Sequence, residues 1–199
     1  MSTPAQALAR LAEVLDRMEV RYAIGGSVAS SAHGTPRTTL DVDLVVDLRP
    51  EQIDEFAAEL GNEFYVDPDQ IRDAFRRGRA ANLIHFKTAW KFDLFPLQPD
   101  PYSQTAIGRR IFREVRPNAG ETVECAVTTP EDTILRKLQW YRAGGETSER
   151  QWTDLCGMIR AAGGQFDMIY LREWAASLGV TDLLERLLRD PTFPPPSQS

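Results

Sequence analysis

Histidine and cysteine are scarce in this chain, with two of each among 199 residues. Cys125 and Cys156 stand far apart, with no CxxC spacing and no Cys/His cluster. That excludes a disulfide framework and a zinc site of the finger type, and leaves buried reduced thiols as the expectation. His33 and His85 are too few and too separated to propose a metal site. Positive charge is not in excess either. The formal net charge is −6, which argues against a whole-surface nucleic-acid binder, because such binding rests on Lys and Arg neutralising phosphates. The runs Arg72, Arg76, Arg77, Arg79 and Arg109, Arg110, Arg113, Arg116 therefore read first as solvated faces, with the guiding of a phosphate-rich partner such as RNA as the alternative. No apolar run approaches membrane-spanning length, so no membrane partner is expected. The stretch Met1 to Met18 alternates apolar and charged residues instead of running basic and then apolar, and the expected location is the cytoplasm.

What is present is the composition of one globular domain or a compact pair of subdomains, 42% hydrophobic and 26% charged. Ala5, Leu8, Leu11, Ala12 and Leu15 recur at helical spacing and predict a helix from Pro4 to Met18. Tyr22-Ala23-Ile24 is a short apolar strand running into Gly25-Gly26, and the small residues from Ser27 to His33 predict a helix packed closely on a sheet. Further strands are expected at Asp41 to Val46, Asn82 to Phe86, Trp90 to Phe95 and Val123 to Val127, with helices at Pro50 to Leu60 and Pro68 to Arg77. From Thr129 onward only helices are expected. Thr129-Pro130-Glu131-Asp132 has the form of an N-cap, a first-turn proline and two acids at the positive end of the helix dipole. The expected organisation is an α/β region over 1–128, a helical region over 129–190 and a disordered, proline-rich tail over 191–199. Trp90, Trp140, Trp152 and Trp174 read as core or subdomain-interface residues.

The strongest chemical signal is Asp41-Val42-Asp43-Leu44-Val45-Val46. Residues two apart on a strand share a face, so both carboxylates point the same way while the intervening valine and leucine face the core. Two acids on a rigid element suit Mg²⁺, which takes oxygen ligands and usually one or two carboxylates plus substrate phosphates. An exposed strand with two solvated aspartates is the alternative. Upstream, Gly25-Gly26-Ser27 lies between a strand and a helix, where glycines permit close backbone approach and free N–H groups meet a phosphate. A phosphate cradle thus precedes a candidate metal site.

This combination resembles the DNA-polymerase-beta-like nucleotidyltransferase superfamily, whose signature is a Gly-Gly/Ser turn followed by Asp-hydrophobic-Asp on the next strand. The run Ile24-Gly25-Gly26-Ser27-Val28-Ala29 with His33-Gly34, Arg37-Thr38-Thr39 and Leu40-Asp41-Val42-Asp43-Leu44 is similar to small bacterial members, including AbiEii-type abortive-infection toxins. The resemblance implies an α+β, mixed-sheet nucleotidyltransferase fold with a C-terminal helical region. It implies nucleotide binding by Gly25, Gly26, Ser27 and Arg37, and a Mg²⁺ or Mn²⁺ site at Asp41 and Asp43. The superfamily adds a third carboxylate on a later strand, and Lys91-Phe92-Asp93-Leu94-Phe95 offers Asp93; an ion pair of Asp93 with Lys91 or an arginine is the alternative. On the helices, Lys137 and Asp154 match later motifs of the toxin-like group, the lysine to hold a triphosphate and the aspartate to orient it or the acceptor. The implied activity is transfer of a nucleoside monophosphate from a nucleoside triphosphate to an acceptor hydroxyl on tRNA, protein or a small molecule such as an aminoglycoside. A cognate antitoxin is a further implied partner. The rival reading is a nucleotide-binding or protein-binding regulator that kept the fold without turnover.

Overall fold

The computed structural model describes residues 2–33, 41–118, 120–163 and 165–190. The chain divides into two units, one made of Met1–Val28 with Arg37–Thr128 and the other of Ala29–Pro36 with Thr129–Ser199.

The first unit is built on a mixed sheet. Its strands are β1 (Tyr22–Ile24), β2 (Asp41–Val46), β3 (Phe64–Tyr65), β4 (Ala81–His85), β5 (Lys91–Pro96), β6 (Ile111–Val115) and β7 (Val123–Val127), in the spatial order β3-β4-β5-β2-β1-β7-β6. β2 runs parallel to β5 and antiparallel to β1, and β4 and β5 form an antiparallel hairpin. Period-two alternation sorts the side chains into two sets. One set places Ala81, Leu94, Leu44 and Ile24 in register along one row and Leu83, Phe92 and Val42 along the next, and all of these are buried. The opposite face carries Asn82, Asp93 and Asp43 in one row and Ile84, Lys91 and Asp41 in the next.

Helix α1 (Pro4–Arg17) supplies Leu8, Leu11 and Leu15 to the core of this unit. Its start is specified locally: Thr3 and Gln6 form a reciprocal capping box, and Pro4 occupies the first turn, where no N–H is needed. The helix expected from Pro50 is a 3₁₀ turn (Pro50–Gln52) leading into α3 (Ile53–Leu60), and α4 (Pro68–Arg76) is N-capped by Asp67. α2 (Gly26–His33) begins directly after β1.

Three elements were not expected. Helix α5 (Pro101–Gly108) starts with Asp100 as N-cap and proline in its first turn, a local signal that stood in the sequence. β3 is only a two-residue strand, too short for a period to register. β6 has Phe112 59% exposed and only Val115 well buried, so its apolar residues do not alternate. Its pairing with β7 along the whole strand defines it instead.

The second unit contains α6 (Pro130–Ala143), α7 (Glu149–Ala161), α8 (Met168–Ser177) and α9 (Thr181–Leu188), all helical as expected from Thr129 onward. Ile134, Leu135 and Leu138 of α6 are fully buried, as are Leu155, Leu171, Leu184 and Leu187. Thr129 caps α6 as expected, but Asp132 does more than face the dipole. It is 1% exposed and accepts from Thr129 Oγ1 and Tyr170 Oη, each at 2.7 Å. A buried carboxylate survives because two hydroxyls replace its water.

Of the tryptophans, Trp90 is buried, whereas Trp140 is 37% exposed and is not a core residue. Trp152 stacks beneath the Arg186 guanidinium, 4.2 Å from the ring centre. Cys125 and Cys156 are both buried and not joined to one another. Burial pushes the Cys125 thiol up to about 12, so it stays protonated. Among the described residues no helix is long and apolar enough to cross a membrane. The tail expected over 191–199 lies outside the described residues.

Candidate functional site

The turn after β1 and the acid-bearing face of β2 and β5 meet at one place. Gly25 N–H donates to the Asp43 carbonyl at 2.9 Å, which extends the β1–β2 ladder by one rung and fixes the glycine turn beside the acids. Gly26 follows with φ +56°, a left-handed conformation that favours glycine, and opens α2. A Cβ at Gly26 would overlap the Asp43 carboxylate, so the absence of a side chain here is what lets Asp43 Oδ2 lie against the backbone. Gly25 is under no such constraint, having open space where its Cβ would go. Ser27 is the next residue of the same helical start.

Asp41 and Asp43 share one face of β2, half-buried, with Val42 and Leu44 fully buried on the other. On the neighbouring parallel strand Asp93 stands in register with Asp43, and Lys91 in register with Asp41. The three carboxylates and one ammonium therefore occupy a two-by-two block, since directly opposed residues on paired strands project to the same side. Asp93 is the most enclosed of the four. Lys91 Nζ lies 2.8 Å from its Oδ2, and the Asn82 amide donates to its Oδ1 from β4. Lys91 holds its proton more firmly than an ordinary lysine, chiefly through the Asp93 hydrogen bond, against the cost of partial burial and with further help from Asp41 and Asp43.

Sequence reasoning missed Asn82 altogether and treated Lys91 only as an alternative partner. The signal for Lys91 was present in the Lys-x-Asp spacing, which puts it on the face of Asp93. Asn82 becomes a neighbour of Asp93 only through the register of the β4–β5 hairpin.

The donor set suits a hard divalent cation, being carboxylate oxygens on two rigid strands beside a Cβ-free turn. It is not a ready-made cage: among the described residues no group of three or more His, Cys, Asp or Glu side chains is arranged to hold a metal ion. At Asp93 one carboxylate oxygen is already taken by the Lys91 ammonium. Arg37 lies outside the described residues. Lys137 and Asp154 belong to the second unit, where Lys137 Nζ on α6 meets Asp154 Oδ2 on α7 at 3.0 Å. Lys137 is 6% exposed, which is unusual for a lysine and fits its pairing with Asp154.

No protein-family model matches this chain, and no curated protein matches it in sequence. Its fold does have solved counterparts. The solution structure of the antibiotic-resistance factor ANT(2'')-Ia aligns over 92% of this chain and 96% of its own, with 14% identity and a TM-score of 0.50. ANT(2'')-Ia in complex with adenylyl-2''-tobramycin aligns over 89% and 98%, with 16% identity and a TM-score of 0.50. An antigenic nucleotidyltransferase-like protein from Paracoccidioides brasiliensis aligns over 94% of each chain, with 19% identity and a TM-score of 0.52. At these identities the likeness is one of architecture, and together with the mixed sheet described above it shows that this chain has an α+β nucleotidyltransferase fold.

Proposed function

We propose that the chain is a divalent-metal-dependent nucleotidyltransferase that moves a nucleoside monophosphate from a nucleoside triphosphate to an acceptor hydroxyl, releasing pyrophosphate. The observation that carries this reading is the register of Asp43 with Asp93 across parallel strands, with Asp41 on the same face and Gly26 opening against Asp43. Carboxylates gathered on one patch call for cations, and a pure scaffold has no evident need for three of them there.

Asp41, Asp43 and Asp93 would hold Mg²⁺ or Mn²⁺. Such ions neutralise phosphate charge and lower the pKa of a bound hydroxyl. The residues of the chain supply the rest. Backbone N–H groups at the start of α2, with the Ser27 hydroxyl, bind the outer phosphates, since the positive end of a helix dipole attracts anions. Arg37 adds a guanidinium to the same phosphates or to a carboxylate. Asp93 takes the proton of the acceptor oxygen as that oxygen bonds to the α-phosphorus and pyrophosphate leaves. The reading rests on the first unit alone; Lys137 and Asp154 are proposed as an assisting pair, the lysine for triphosphate charge and the aspartate to orient it.

For the acceptor, ANT(2'')-Ia bound to adenylyl-2''-tobramycin supports a small molecule of the aminoglycoside class, and the likeness to toxin-like members supports tRNA or protein. One experiment separates these. Each α-labelled nucleoside triphosphate is incubated with the protein, Mg²⁺ or Mn²⁺, and in turn total RNA, total protein and an aminoglycoside mixture. Label is expected in one acceptor class, and Asp43→Asn is expected to abolish it, by about a thousandfold or more, as removal of a transition-state electrostatic element does. The metal-free melting temperature of that variant should stay equal or rise, because a repelling charge has gone.

The rival, a regulator of the toxin–antitoxin kind without turnover, has one observation in its favour: Asp93 is already charge-matched by Lys91. No label in any acceptor would favour that rival, whereas Asp93→Asn melting lower is expected under both readings, because it leaves Lys91 unmatched.

A further inference from the structure

We infer that Lys91 is a resident counter-cation of the carboxylate face, and that a divalent ion binds Asp93 only by displacing the Lys91 ammonium. The inference rests on the functional reading above and adds a residue that reading does not use. Both oxygens of Asp93 are engaged, Oδ2 by Lys91 Nζ at 2.8 Å and Oδ1 by the Asn82 amide. Neither interaction is incidental to the strand geometry. Lys91 precedes Asp93 by two residues and so shares its face, while Asn82 is its direct partner on β4.

The two members of the ion pair differ in exposure. The Lys91 side chain is 43% exposed and that of Asp93 is 12% exposed. The ammonium can therefore swing into water on its flexible four-carbon stem while the carboxylate stays where it is. An ion that takes its place must supply at least as much field to Asp93. A monovalent ion brings no more charge than the ammonium it replaces and lacks its covalent tether. A divalent ion brings twice the charge, and Asp43 in register and Asp41 beside it are placed to share it. Lys91 thereby offsets part of the negative charge of the metal-free face and biases it toward divalent over monovalent cations.

The test is calorimetric titration of Mn²⁺ into the full-length wild-type protein, Lys91→Met, Asp43→Asn and Lys87→Met, the last as a control for net charge on the exposed β4–β5 turn. Methionine keeps the apolar stem and removes the competitor. Lys91→Met is expected to bind Mn²⁺ about tenfold tighter, to melt lower without metal and to gain more from metal, while Lys87→Met matches wild type. If Asp43→Asn loses Mn²⁺ binding but Lys91→Met binds no tighter than wild type, or Lys87→Met gains as much, the displacement inference is wrong and the metal-site reading stands. If Asp43→Asn binds as wild type does, or neither the wild type nor Lys91→Met binds, the metal-site reading itself falls and takes the inference with it. Should Lys91→Met not fold, amine labelling of the wild type decides. Labelling of Lys91 relative to Lys87 should rise several-fold on adding Mn²⁺, and an unchanged ratio overturns the inference.

Discussion

Each unit of the molecule contains a lysine–aspartate ion pair of nearly the same length, and the two are set in opposite environments. Lys91 and Asp93 meet at 2.8 Å on one strand, with Asp41 and Asp43 on the adjoining strand. Lys137 and Asp154 meet at 3.0 Å between two helices, with the lysine side chain 7% and the aspartate 19% exposed. A pair whose cation can return to water is replaceable, whereas a pair whose cation is enclosed is committed, because leaving a largely buried charge without its counter-ion is costly. Distance alone does not separate a replaceable ion pair from a committed one. Enclosure of the cation and the charge of the neighbours do.

The largest effect expected from this contrast is on stability. Lys137→Met removes an enclosed cation from a carboxylate that is itself mostly buried, and should cost about 3 kcal/mol. Lys91→Met should cost about 1 kcal/mol or less, as for pairs open to solvent. Urea unfolding of both variants measures the difference, and equal losses would erase the distinction between the pairs.

A second, smaller effect sharpens the claim that the carboxylate face is built around a missing side chain. Gly26→Ala meets both a left-handed backbone and the Asp43 carboxylate, and should cost about 2 kcal/mol while weakening triphosphate binding. Gly25→Ala enters open space and should change stability by no more than about 0.5 kcal/mol. Thermal melting and nucleotide titration of the two variants check this, and equal penalties would show that the turn as a whole, not the approach to Asp43, requires glycine.

The smallest effect is a pH dependence confined to the first unit. His85 is buried, with its Nδ1 2.8 Å from Thr88 Oγ1 and its ring against Phe64. Burial lowers its affinity for a proton, opposed by Glu63 and assisted by Lys87. The folded protein thus binds fewer protons than the unfolded chain as pH falls below the ordinary imidazole value of 6.5, so stability is lost on acidification through that window and is fully present above it. A drop in Tm of roughly 1–3 °C between pH 7.5 and 5.5 is expected from this residue. Its share disappears in His85→Gln, and an unaltered pH slope in that variant would assign the dependence elsewhere.

Much of this protein was legible before its structure. Asp41 and Asp43 on one face of a strand, the glycine turn ahead of them, the helices from Thr129 onward and the buried thiols all follow from periodicity, backbone freedom and composition, which are local properties of the chain. What the sequence could not settle is anything carried by pairing between distant segments. The register that sets Asp93 opposite Asp43 and Asn82 opposite Asp93 depends on which strands become neighbours, and β2 and β5 are joined through intervening helices and a hairpin. Strand β6 escaped notice for the same reason, since its pairing with β7 rather than its own pattern defines it. The enclosure of Lys137 and Asp132 was equally invisible, because burial of a charge is decided by the elements that pack over it. Local chemistry named the candidate residues; tertiary structure decided which of them share an environment, since electrostatic coupling follows distance through space and not separation along the chain.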